Sequence, residues 1–191
     1  MHKVAPSLFY HGSLIIRTKK GRRALDDLLT SLSCPIFVDI NLREPWWRAE
    51  DLTPILHRAG WVKVNDEELE IIGGHYNLNA PSLERLARNF QQKYSIEILI
   101  VTRGGEGAFA LDSEGDIFHV QPQEDIEIVD TVGAGDAFSA VVLLGLQDGW
   151  RLETTLQRAQ DFASLICRQR GAINPDIEMY GMTLKKWNES K

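Results

Sequence analysis

Nine residues, Asp130-Thr131-Val132-Gly133-Ala134-Gly135-Asp136-Ala137-Phe138, combine two features with opposite electrostatic preferences. Gly133 and Gly135 flank Ala134 just ahead of an apolar run, Ala140 to Leu146. At a helix start, such small residues leave backbone N–H groups uncovered. An uncovered first turn carries unpaired donors and the positive end of the helix dipole, so it attracts an anion. Asp136 in the same turn would repel a bound phosphate. It makes chemical sense as a base that takes a proton from whatever attacks that phosphate. Gly133, Ala134 and Gly135 are thus candidates for an anion hole and Asp136 for the base of a phosphoryl transferase. The same residues also read as an ordinary strand-to-helix turn in which Asp136 caps the helix.

Other candidates carry the same two-sidedness. Asn65 and Glu68 stand three apart at the start of a short helical pattern. A carboxylate there can hold water on Mg²⁺, which keeps several waters and few protein ligands. The spacing equally suits a capping box. Asp39, Asn41 and Arg43 can serve a site or make a strand-to-loop turn. Trp46 and Trp47 read as packing. Arg103 can approach a phosphate or lie on the surface. No G-x-x-x-x-G-K-[ST] occurs, so this is not a P-loop chain.

The elements that position these residues follow from periodicity. Strands are predicted over Leu8–Ile16 (interrupted by His11-Gly12-Ser13), Ile36–Ile40, Trp61–Val64, Ile96–Val101 and Ile126–Val129. Gly107–Leu111 and Ile117–Val120 flank Asp112-Ser113-Glu114-Gly115, a hairpin signal. Helices are predicted over Arg23–Leu32, Glu50–Ala59, Asp66–Ile72 (stopped by Gly73-Gly74), Pro81–Tyr94, Gly135–Leu146 and Leu152–Arg170. The chain beyond Pro175 shows no assignable pattern. Alternating strands and helices imply an α/β fold with a mostly parallel sheet flanked by helices, which binds ligands beyond the carboxyl ends of its strands. Every candidate above falls at such an end.

Four ordered motifs carry a family resemblance. Asp130 to Phe138 resembles the second signature of the ribokinase-like (PfkB) carbohydrate kinases. Asp39-Ile40-Asn41-Leu42-Arg43 with Trp46-Trp47 resembles the D-x-N-x-R…W segment of the fructokinase-like branch. Asn65-Asp66-Glu67-Glu68 resembles N-x-x-E, and Thr102-Arg103-Gly104-Gly105-Glu106-Gly107 resembles T-x-G-x-x-G. The match runs from about Leu8 to Ala172. It implies sugar phosphorylation with ATP and Mg²⁺. Asn65, Glu68, Thr102, Arg103, Gly104 and Gly107 would lie along nucleotide and phosphate, Glu68 would hold Mg²⁺ through water, and Gln160 would lie near the adenine. Asp130 and Gly171 resemble a region where some relatives bind a monovalent cation. The family's glycine-rich first signature, most sugar-contacting residues and small β-sheet lid have no counterpart here. The resemblance therefore implies a truncated ribokinase-like fold, with residues 1–191 as one α/β domain corresponding to the C-terminal, nucleotide-binding part of a sugar kinase. The alternative is a non-catalytic kinase fragment that binds nucleotide weakly or pairs with another chain.

Composition narrows the classes. At 191 residues and 43% apolar, the chain can bury a core and is not a candidate for disorder. A net charge of −6 argues against nucleic-acid or membrane-surface partners, leaving a small-molecule sugar and ATP. Cys34 and Cys167 lie far apart, and the five histidines form no H-x-x-x-H pair, which suggests free thiols in a reducing cytoplasm and no structural metal. No signal-peptide pattern precedes the first strand. Leu8-Phe9-Tyr10 and Leu14-Ile15-Ile16, at the edge of the expected sheet, suggest self-association, most simply as a dimer.

Overall fold

The computed structural model describes residues 5–122 and 127–189. Six strands form one mixed sheet in chain order: β1 (Phe9–Gly12), β2 (Ile36–Asp39), β3 (Trp61–Asn65), β4 (Ile98–Thr102), β5 (Ala108–Leu111) and β6 (Ile117–Val120). β1 through β4 are parallel, and β4–β5 and β5–β6 are antiparallel. The parallel steps are crossed by α1 (Lys19–Ser31), α2 (Ala49–Leu56), and the pair α3 (Asp66–His75) and α4 (Leu83–Tyr94). These four helices cover one face. α5 (Ala134–Gln147) and α6 (Leu152–Ile166) cover the other, and α7 (Ile177–Glu189) follows.

Strand alternation sorts the core into two layers. Val38, Val62, Val64, Leu99, Val101, Phe109 and Leu111 face α1–α4. Phe37, Ile100, Ala108 and Ala110 face α5 and α6, where Phe138, Val141, Val142, Leu156 and Ala159 meet them. Small Ala108 and Ala110 let α6 approach the hairpin closely.

Several boundaries differ from the sequence reading, each for a local reason. The first strand stops at Gly12, and Ser13–Arg17 forms a 3₁₀ turn. The Ser13 hydroxyl donates to the Asn41 carbonyl at 3.0 Å and accepts from its N–H at 2.9 Å, which draws the chain off the sheet where β2 ends. Gly73 and Gly74 do not stop α3. A side chain at Gly73 would put its Cβ 2.7 Å from Leu86, so that glycine serves close helix packing. The strand expected over Ile126–Val129 is absent from Glu127 to Val129, and Ile126 lies outside the described residues. Val129 and Asp130 direct their N–H groups to the Cys167 carbonyl at the end of α6 instead of to a strand. That sixth helix ends at Ile166, short of Arg170. The unassigned tail forms α7, held by Arg158, which donates to the Trp187 carbonyl at 2.9 Å and stacks 4.2 Å over the Trp150 ring.

Candidate active site

Gly133 is the N-cap of α5 at φ 86°, the left-handed region that favours glycine, and provides no side-chain cap. A Cβ at Gly133 would lie 2.4 Å from the Ala172 methyl, so the protein's own packing accounts for this glycine. Gly135 is different. It has no positive φ, and the only atom near a Cβ there is Lys63 Nζ at 4.0 Å. Nothing in the described protein requires Gly135 to be bare, but a ligand seated on the helix start would.

The donors at this turn can be assigned one by one. Ala134 N–H bonds to the Thr131 carbonyl at 3.2 Å and Ala137 N–H to the Gly133 carbonyl at 2.8 Å. Among the described residues, the N–H groups of Gly133, Gly135 and Asp136 have no acceptor. The expected hole thus has a modified membership: Gly133 and Gly135 are open, Ala134 is tied into the turn, and Asp136 adds an N–H. The Asp136 carboxylate is exposed and makes no hydrogen bond or ion pair among the described residues. It is not serving as a side-chain cap.

This turn forms one wall of a cleft of about 420 Å³. The cleft brings together Thr102, Gly104, Gly107, Ala134, Gly135 and Gln160, drawn from β4, the turn after it, α5 and α6. It is largely apolar, lined also by Phe138, Ala163 and Cys167, and it holds a buried polar pair, Gln160, whose Nε2 donates to Ser164 Oγ at 3.3 Å. An apolar slot closed by an anion-seeking helix end can accept a flat base at one end and phosphates at the other. Arg103 turns away. Its guanidinium bonds to Glu106 and lies 5.9 Å over Phe109.

Asp130 holds the turn in place. One carboxylate oxygen accepts from Val132 N–H at 3.0 Å and the other from Gly171 N–H at 2.9 Å, which fastens the 171 loop beside Gly133. These donors hold its carboxyl below the usual aspartate range. Asn65 and Glu68 form a complete capping box: Asn65 Oδ1 accepts from Glu68 N–H at 2.7 Å, and Glu68 Oε2 accepts from Asn65 N–H at 3.1 Å. Glu68 Oε1 also accepts from Leu42 N–H at 2.8 Å. Burial raises its pKa above the glutamate value, opposed by those two backbone donors and by Lys63. Asn41 is fixed through its backbone by Ser13, and Arg43 is exposed in a turn whose carbonyl accepts from Trp46. Neither lines the cleft.

In a buried network beneath the turn, Asp39 belongs to the D-x-N-x-R motif, whereas Tyr10, Lys63 and Ser139 belong to none of the four motifs. Lys63 Nζ donates to Asp39 Oδ1 at 2.9 Å with both side chains about nine-tenths buried, and Ser139 Oγ donates to Asp39 Oδ2 at 2.7 Å. Tyr10 OH donates to the same oxygen at 3.3 Å. Burial and the Asp39 charge push the Tyr10 phenol strongly upward, with a smaller push from Asp136. One signal was available: in Trp61-Val62-Lys63-Val64-Asn65 a lysine occupies an inward position of an otherwise apolar strand.

The donor set offers Mg²⁺ no protein cage, since no cluster of three or more His, Cys, Asp or Glu side chains converges among the described residues. An ion carried by nucleotide phosphates and their waters needs none. Glu68 fits such an ion as an outer contact, because each carboxylate oxygen retains a lone pair beyond its one backbone donor. Among the described residues, no helix is long and apolar enough to cross a membrane.

Comparison with known proteins agrees with the fold. Solved structures of similar fold include a fructokinase from Xylella fastidiosa with bound ATP, at TM-score 0.77 and 16% identity, covering 95% of this chain and 62% of that one. A fructokinase from Vibrio cholerae O395, in a form with fructose, ADP and potassium bound, matches at TM-score 0.73 and 22% identity, over 93% of this chain and 62% of that one. In sequence, the chain is 33% identical to a fructokinase of Salmonella thompson over 147 residues, 71% of this chain and 63% of the relative. It is 29% identical to Fructokinase-1 of Oryza sativa subsp. japonica over 184 residues, 87% of this chain and 54% of the relative. The chain thus spans little more than half to under two-thirds of the length of these relatives. Residues 22–179, from α1 into α7, match the pfkB family carbohydrate kinases. With the glycine-led helix start, the cleft beside it and the order of the strands all in agreement, the chain belongs to the pfkB family of carbohydrate kinases.

Proposed function

We propose that this chain carries the nucleotide and phosphate-transfer end of an ATP-dependent sugar kinase, with fructose the favoured acceptor. The observation that carries the reading is the open start of α5. Among the described residues, three backbone N–H groups there lack acceptors, a Cβ on Gly135 would meet Lys63 Nζ only at 4.0 Å, and Asp136 is unpaired beside them. The sugar hydroxyl oxygen forms a bond to the γ-phosphorus as the bond to the β-phosphate oxygen breaks and ADP leaves. Asp136 takes the hydroxyl proton, late in a loose transition state, so its placement matters more than its basicity. The Gly133, Gly135 and Asp136 N–H groups face the charge that develops on the transferred group. Thr102, Gly104 and Gly107 line the nucleotide's path, and Gln160 with Ser164 meets the base. Mg²⁺ would supply neutralising charge to the phosphates, and Glu68 would hold one of its waters. Asp130 and the Gly171 loop are where a monovalent cation would act, by stiffening the turn. The setting is a reducing cytoplasm.

Calorimetric titration with ATP, ADP and adenosine, joined to a coupled assay with fructose, tests the reading. ATP should bind more tightly than adenosine, because its phosphates reach the helix start. Equal affinity for the two, or no binding, would overturn it.

A second reading has its own observation. β1 is the sheet edge, with one side unpaired in the described chain, and Tyr10, Leu14 and Ile15 are exposed beside it. α7 packs on α6 near the other edge and does not cover it. Open edges and exposed apolar side chains favour pairing with another chain. We propose a dimer through β1; a clean monomer by light scattering at micromolar concentration would exclude it.

A further inference from the structure

α5 is an apolar helix. Of its buried residues Ala137, Phe138, Ser139, Val141, Val142 and Gly145, Ser139 has the one polar side chain, and it is 2% exposed. A serine inside a helix ordinarily bonds back to the carbonyl four residues earlier. Here that carbonyl is Gly135 O, at 2.9 Å. Ser139 has a single hydroxyl proton and a nearer, charged acceptor, Asp39 Oδ2 at 2.7 Å. Charge-assisted bonds are the stronger kind, so the proton is directed to Asp39.

Asp39 is itself held from two other strands, by Lys63 on β3 and Tyr10 on β1. A buried ion pair of this kind rarely adds net stability over apolar residues of the same size, so it is weak as an explanation of folding energy. What it supplies is a fixed point. The Lys63 ammonium ends 4.0 Å from where a Cβ on Gly135 would sit, and Ser139 is one turn beyond that glycine and three residues beyond Asp136.

We propose that Ser139 is a positioning residue for phosphate transfer. Its bond to the Lys63–Asp39 pair fixes the first turn of α5 against β2 and β3, so that the Gly135 and Asp136 N–H groups and the Asp136 carboxylate keep one placement. The inference rests on the phosphate-transfer reading above. Orientation is a large part of what such a site contributes, and small displacements of a reacting group are costly.

The test is calorimetric titration of the full chain with inorganic tripolyphosphate and, separately, adenosine. Ser139→Ala should weaken tripolyphosphate about threefold to tenfold, the range expected for one lost hydrogen bond, and leave adenosine within about twofold. Ser139→Thr, which restores a hydroxyl, should recover the affinity. Thr155→Val is the control. It removes another fully buried helix hydroxyl, bonded back to Arg151 O at 3.1 Å and outside the cleft. It should lower the melting temperature and leave tripolyphosphate binding alone. If Ser139→Ala does not fold, Ser139→Cys keeps the volume with a weak donor and should show the same selective loss. Native tripolyphosphate affinity in a folded Ser139→Ala or Ser139→Cys overturns the positioning role while the phosphate-transfer reading stands. A wild-type chain that binds no tripolyphosphate overturns both.

Discussion

Two helices, α3 and α5, start at the carboxyl ends of the sheet with an acidic residue in the first turn, and they use that turn in opposite ways. α3 is closed. Asn65 caps it, Glu68 reaches back to the Asn65 N–H, and the remaining Glu68 oxygen takes the Leu42 N–H. α5 is open. Its cap is a glycine without a side chain, and among the described residues three N–H groups lack acceptors and the Asp136 carboxylate bonds to none of them. The same sequence logic, a small polar or glycine cap followed by an acid, yields a self-satisfied end in one case and, among the described residues, an end with unpaired donors in the other. The difference lies in side-chain reach: Asn65 and Glu68 have carboxamide and carboxylate oxygens that return to the backbone, whereas Gly133 and Gly135 have none.

Asp136→Asn gives the largest expected effect. An amide keeps the shape and cannot take the proton, so in a full-length or complemented form that turns over sugar, turnover should fall by about 10²-fold or more while ATP affinity stays nearly constant. Unchanged turnover in the coupled assay would reduce Asp136 to a feature of the turn and remove half of the contrast with α3. Gly135→Val should come next, with ATP binding weakened about tenfold or more as the branched side chain fills the helix start. Thermal stability should suffer less than in Gly133→Val, where φ 86° and the contact with Ala172 make any side chain costly. Titration and melting curves of the two variants separate a glycine kept for a ligand from one kept for the backbone.

The closed end is sharpened by a pair of variants. Asn65→Ala should cost about 1 kcal/mol as a lost cap and leave the Mg²⁺ requirement unchanged. Glu68→Ala should cost about 1–3 kcal/mol, since it strands the half-buried N–H groups of Leu42 and Asn65, and in a form that turns over sugar it should also raise the Mg²⁺ concentration that supports half-maximal turnover. If only stability changes in Glu68→Ala, the capping box accounts for Glu68 entirely. The smallest effect concerns His11 on β1. Burial lowers its pKa, opposed by a bond to the Gly12 carbonyl, so the folded state favours the neutral ring. A depressed folded pKa contributes stability above the unfolded value near 6.5, and that contribution is lost as pH falls through the folded pKa. Melting temperatures taken downward from pH 8 should therefore decline more steeply in the wild type than in His11→Asn.

Much of this was legible without coordinates because it depends on local rules. The alternation of strands and helices, the hairpin around Asp112–Gly115 and the glycine-led start of α5 follow from side-chain periodicity and turn chemistry. α7 was not legible, because its docking rests on Arg158 placed between Trp150 and Trp187, a contact spanning 29 residues between α6 and the tail. The strand expected before Asp130 failed for a related reason. The N–H of Val129, its last residue, and that of Asp130 after it found the Cys167 carbonyl, a partner that sequence spacing does not reveal.

By itself the sequence determined the order of the six strands and of the helices up to α6, the small residues at the start of α5 and the candidate base, since each is a property of a few consecutive residues. Tertiary structure decided which of those residues are free to act. Ala134 proved to be bonded within its turn, Arg103 to be paired with Glu106, and Glu68 to be engaged by two backbone donors, whereas Asp136 and Gly135 were left open. The tertiary fold also assembled Tyr10, Asp39, Lys63 and Ser139 from three strands and a helix into one buried network. The physical reason is that a residue's type states which bonds it can make. Only the packed chain shows which partners, some as far as 100 positions away, have already claimed them.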